Sequence, residues 1–110
     1  MLLTKKRALR LHRRMWSDMQ KDLGDNPMAR ERVAYKEKWC EEHFPNEDIP
    51  SDCFLCKYDD EHGIGKGHKP CEHCPIDWGE TVYIGCSHNE VTYQNSPISA
   101  ILALPERKGV

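Results

Sequence analysis

Two Cys-x-x-Cys pairs, Cys53/Cys56 and Cys71/Cys74, stand in this chain with fourteen residues between Cys56 and Cys71. No other feature narrows its possible folds as much. Each pair can form a tight knuckle in which two thiolates point at one ion while backbone amides soften their charge. Two such knuckles give four sulfurs in a tetrahedron at ~2.3 Å from a Zn²⁺. The intervening segment carries Gly63, Gly65 and Gly67, which permit the bends that closure requires. The expected ligands are therefore Cys53, Cys56, Cys71 and Cys74, with Cys86 as an alternative to a member of the second pair. Among the histidines, His62, His68 and His73 lie close enough in sequence to replace a thiolate or to support one from behind. Cys40 falls within a helical pattern and reads as a small buried hydrophobe.

Composition makes the metal matter. The chain has 110 residues, of which 38% are hydrophobic and 31% charged. That size implies one domain with a thin core, so a structural zinc would supply a large part of the folding free energy. Six cysteines could instead pair as three disulfides in a secreted protein. Against this, charges begin at Lys5 and no apolar segment precedes a cleavage site, which is unlike a secretory signal. No apolar run approaches the ~20 residues of a membrane span. A soluble, cytoplasmic protein is expected.

Charge is unevenly placed although the net value is only −2. Residues 1–24 hold seven Lys/Arg against Asp18 and Asp22, whereas residues 37–64 hold nine acids against Lys38 and Lys57. Such asymmetry implies a charged partner or two regions that face each other.

Along the chain, Ala8, Leu11, Met15, Met19 and Leu23 recur at three- and four-residue steps and predict an amphipathic helix over 4–23. Thr4 is its candidate N-cap and Gly24 its stop. A second helix is expected from about Pro27 to His43, with Asn26 as cap and Met28, Arg32, Tyr35 and Trp39 along one side. The short join predicts an antiparallel hairpin over 1–45. Residues 46–110 then form the zinc-binding region. Thr81–Ile84 and Val91–Tyr93 have strand character, and Ser96-Pro97, with Ser96 as cap and Pro97 at the first position, starts a short helix over 98–104. The expected fold class is a small zinc-stabilised α+β domain: a helical hairpin, a two-knuckle loop of zinc-ribbon or treble-clef type with a short β-hairpin, and a C-terminal helix.

Reactive constellations are incomplete. Pro70-Cys71-Glu72-His73-Cys74 matches one half of the zinc deaminase signature, but the H-x-E half is missing. Ser87-His88-Asn89 suggests a His-Asn-His nuclease without its second histidine. Gly63-Ile64-Gly65-Lys66-Gly67 lacks the G-K-[ST] ending of a phosphate loop. A non-enzymatic role follows as the expectation.

Taken together, Trp39, Cys53-Phe54-Leu55-Cys56-Lys57-Tyr58, Cys71-Glu72-His73-Cys74-Pro75-Ile76-Asp77-Trp78 and Cys86 resemble small four-cysteine zinc-binding proteins of bacteriophages and prophages. The likeness spans roughly residues 39–104, is sharpest in C-x-x-C-P-[IL]-x-W, and leaves 1–38 uncovered. It implies an accessory protein that binds and modulates a host protein, including components of host defence. The acidic stretch Glu41–Glu61 is the candidate recognition surface. The alternative is a nucleic-acid-binding module in which Lys5, Lys6, Arg10, Arg13 and Arg14 contact phosphates, with help from Lys66, His68 and Lys69.

Overall fold

A computed structural model describes residues 2–63, 74–78 and 91–108 of the chain. Helix α1 spans Lys5–Leu23, α2 Ala29–His43, α3 Phe54–Gly63 and α4 Ile98–Leu102, with one 3-10 turn at Pro50–Asp52. Helix α1 touches each of the other described helices, α2, α3 and α4.

The physical reason is the stripe on α1. Ala8, Leu9, Leu11, Met15, Trp16 and Met19 are all buried, and each large apolar side chain sealed this way contributes about 1.5–3 kcal/mol. Thr4 caps the helix, its hydroxyl accepting from the Arg7 amide at 3.1 Å. Gly24 ends it at φ 85°, in the left-handed region that a residue without Cβ enters readily. Leu23, placed on the stripe by periodicity, is exposed instead because the helix stops there.

Helices α1 and α2 run antiparallel, since Tyr35 donates to Asp22 at 2.6 Å and Trp39 Nε1 to Asp18 at 2.9 Å. The buried side of α2 matches the expected one at Arg32 and Trp39, and departs from it at Met28 and Lys36. Arg32, Lys36, Trp39 and Cys40 face inward, whereas Met28 and Val33 are exposed. Nor does Asn26 cap this helix. Met28 holds the N-cap position, and its amide donates to the Glu31 carboxylate at 2.9 Å. Arg32 is buried because its guanidinium has carbonyl partners: Nε donates to Pro27 O, and one terminal nitrogen donates to Tyr93 O and Ser96 O. Lys36 lies 4.9 Å from the Tyr93 ring centroid, a cation–π contact.

The α+β expectation is overturned. Among the described residues there is no strand and no sheet, only one antiparallel bridge between Ile76 and Glu106. Val91–Tyr93 lies in a turn that Ser96 closes by donating to the Thr92 carbonyl. Residues 81–84 lie outside the described residues. Nor does the Cys53–Cys56 pair stand in an open loop. Cys53 is extended, and Cys56 already sits in the first turn of α3. Phe54, Leu55 and Tyr58 share the buried face of a helix, and Lys57 pairs with Glu61 one turn on. That packing against α1 favours helix over the open loop a ribbon requires.

The C-terminal helix is capped from far away. The Ile98 amide donates to Asp25 O, and the Ser99 amide and hydroxyl donate to the two Asp25 carboxylate oxygens at 2.7 and 2.8 Å. Ser96 turns its own hydroxyl to the Thr92 amide, so the expected local cap is not the one used. Residues from 1–45 and from 46–110 contribute to a single buried cluster.

Candidate functional site

The first cysteine pair is built into the start of α3. The Cys53 carbonyl accepts the first helical bond, from Lys57, and its sulfur accepts the Cys56 amide at 3.4 Å. Cys53 thus occupies an N-cap position, where amides and the positive end of the helix dipole converge. Its thiol is held well below the usual range. The Cys56 thiol hydrogen bond is the main cause, and the Lys36 ammonium and the Cys56 and Leu55 amides outweigh the opposing effect of burial. A stabilised thiolate is what a soft metal ion requires.

Cys40 is the neighbour that sequence patterns did not connect to this pair. It is buried, donates weakly to the Asp52 carbonyl at 3.8 Å, and lies close enough for Cys53 and Lys36 to influence it. Burial first, then Asp52, pushes its thiol up to about 12. Cys40 and Cys53 are therefore opposites, one a protonated packing group and the other disposed to ionise. Asp52 makes the corner between them at φ 51°, a conformation that Asp tolerates better than most residues.

Of the second pair, Cys74 is buried in the core beside Pro75, Ile76 and Trp78. Cys71 and the alternative ligand Cys86 lie outside the described residues, as do His68 and His73. His62 is exposed; its ring stacks on Tyr58 at 3.9 Å and its Nδ1 meets the Tyr58 carbonyl at 2.9 Å. Among the described residues, no group of three or more His, Cys, Asp or Glu side chains stands where it could hold a metal.

His12 escaped sequence reasoning because it sits inside an arginine-rich run. It is 2% exposed, with Trp16 and Trp78 edge-on at 6.4 and 6.3 Å. Burial first, then Lys36 and Arg13, lowers its pKa to about 3, so it is neutral at ordinary pH. Its Nε2 and the Trp78 Nε1 have no hydrogen-bond partner among the described residues.

The candidate phosphate-contacting residues divide. Lys5 is turned to the C-terminal segment, donating to Arg107 O and pairing with Glu106 at 3.5 Å. Lys6, Arg10, Arg13 and Arg14 are exposed, and so is Lys21. The acidic stretch is partly absorbed by the fold. Asp59 is buried, Glu61 accepts the Leu3 amide and pairs with Lys57, and Glu42 pairs with Lys38.

No family model, curated protein or solved structure matches this chain. No helix among the described residues is long and apolar enough to cross a membrane.

Proposed function

We propose that the chain is a non-enzymatic accessory protein, of the kind found in bacteriophages and prophages, that binds and modulates a host protein. Cys53, Cys56, Cys71 and Cys74 hold a structural Zn²⁺ in this reading. The observation that carries it is the N-cap placement of Cys53, whose sulfur meets the Cys56 thiol and amide, with the charge of Lys36 acting on it. Such an environment favours thiolate, the form that binds zinc. Four thiolates close the coordination sphere and leave no position for a reacting water. The metal then ties the segment after α3 to the helical core, and recognition falls to the surface.

Two measurements test this. Metal analysis of protein purified without chelator should find one zinc per chain. Cys56→Ser should lose the metal and melt at a lower temperature than the wild-type chain, whereas a variant that keeps a full equivalent refutes the ligand set. Affinity capture from nuclease-treated bacterial lysate should recover one stoichiometric protein. Recovery only without nuclease would replace the host-protein reading with a nucleic-acid one.

A further inference from the structure

The exposed cations of α1 form a surface that pairs with no other described residue. At 3.6 residues per turn, positions 6, 10, 13, 14 and 21 fall within an arc of about 100° and span roughly 22 Å of helix. Lys6, Arg10, Arg13, Arg14 and Lys21 are all exposed, and among the described residues none of their side chains has a hydrogen bond or ion pair.

The two acids of the same helix are drawn aside. Asp18 accepts from Trp39 and Asp22 from Tyr35, both on α2. The stripe is left purely positive.

This arrangement works against the helix itself. No acid occupies the first turn of α1, where the macrodipole favours one. Lys6/Arg10 and Arg10/Arg14 are like-charged pairs at four-residue spacing, which weaken an isolated helix. A cationic face that opposes local stability and has no counterion among the described residues points outward, to a polyanion. Three kinds of polyanionic partner differ in what else they require. A membrane surface requires a free apolar face, but that of α1 is sealed in the core. A protein interface is centred on apolar and aromatic groups with charge at its rim, whereas the exposed residue among these cations is Ser17. A phosphate backbone needs only the cations.

We propose that the exposed face of α1 binds the phosphate backbone of double-helical nucleic acid, without reading its sequence. This surface is separate from the cysteine pair, and the inference does not rest on the zinc or host-protein reading.

The test is fluorescence anisotropy with a 20-base-pair DNA duplex over a salt series, using the full chain. Five neutralised phosphates give a slope of about −4.5 in log Kobs against log salt, so affinity should fall roughly 500-fold between 50 and 200 mM. Arg10→Gln/Arg13→Gln/Arg14→Gln should remove about 2.7 from that slope. Lys6→Glu supplies a variant that cannot fail through unfolding. An acid near the start of α1 suits the dipole, so its Tm should hold or rise while DNA affinity falls. Two unrelated duplex sequences should bind alike. Absent binding at 50 mM salt overturns the proposal, as does wild-type affinity in the triple variant. Equal, arginine-dependent binding to phosphatidylserine vesicles overturns the choice of nucleic acid.

Discussion

Replacing Arg32 by Met tests whether the C-terminal segment is held by one buried side chain. The guanidinium is 1% exposed and donates to three carbonyls: Pro27 at 2.9 Å, Tyr93 at 3.0 Å and Ser96 at 2.6 Å. Hydrogen bonds from a charged donor contribute about 1.5–3 kcal/mol each, and the desolvation of a buried cation offsets several kcal/mol of that sum. Methionine keeps most of the volume and removes the charge. It leaves the buried bond to Pro27 unmade at a cost of about 1–3 kcal/mol, while water can reach the half-buried Tyr93 and Ser96 carbonyls. A net loss of about 3 kcal/mol follows, which for a domain of this size lowers Tm by roughly 12 °C. Thermal unfolding by circular dichroism reads the global effect. Hydrogen exchange should show lost protection first across residues 91–104. Arg32→Lys should fall between the two, because one ammonium cannot span three carbonyls in this geometry. A Tm within about 3 °C of wild type for Arg32→Met, with exchange unchanged in that segment, would sink the clamp argument.

The remaining expectations concern pH, metal and surface charge. His12 has a folded pKa depressed to about 3 against an ordinary value of 6.5, so the unfolded chain binds the extra proton. Its contribution to stability is therefore complete above pH 6.5 and is lost as pH falls towards 3, and His12→Phe should flatten Tm across that window. An unchanged acid slope would show that His12 is not the group responsible. Chelation should lower the Tm of the wild-type chain and leave that of Cys56→Ser unmoved. Equal response of both proteins would count against Cys56 as a ligand. In the duplex-binding assay, neutralising the three arginines should change affinity without shifting Tm by more than a degree or two, since all three side chains are exposed.

Much of the helical frame was legible in advance. The α1 stripe, the Thr4 cap and the Gly24 stop depend on spacing and on local backbone chemistry, both written in consecutive residues. Helix α3 was hidden by its own cysteines, since Cys-x-x-Cys spacing suggested a knuckle before Phe54, Leu55 and Tyr58 were weighed as one buried face. Lys36 and His12 could not be placed inward from pattern alone, and for Arg32 the pattern gave the side of the helix but not the partners of its charge. What buries a cation is a set of partners from elsewhere in the chain: for Arg32 two of them are the carbonyls of Tyr93 and Ser96, and for Lys36 it is the Tyr93 ring. The cap of α4 was misassigned to Ser96 for the same reason, because its true partner lies 74 residues upstream. At the cysteine site, the favoured thiolate at Cys53 arises first from the Cys56 thiol beside it, and the Lys36 charge and the amides of the helix start add to that. That could have been found by asking which cysteine precedes a helix.

The bond between Asp25 and Ser99 also bears on the order in which the chain can assemble. It closes a hoop of 74 residues, and drawing two ends that far apart together costs about 4 kcal/mol of chain entropy. The α1–α2 contacts join residues only 13 and 21 apart, so the hairpin can form early and at little entropic cost. Asp25 lies in its turn, next to Gly24, and is set in place by the Gln20 amide at 3.0 Å. The turn can thus be in place before α4 docks on it. The last helix arrives at a prepared seat, and both cysteine pairs are enclosed within the loop that its arrival shuts.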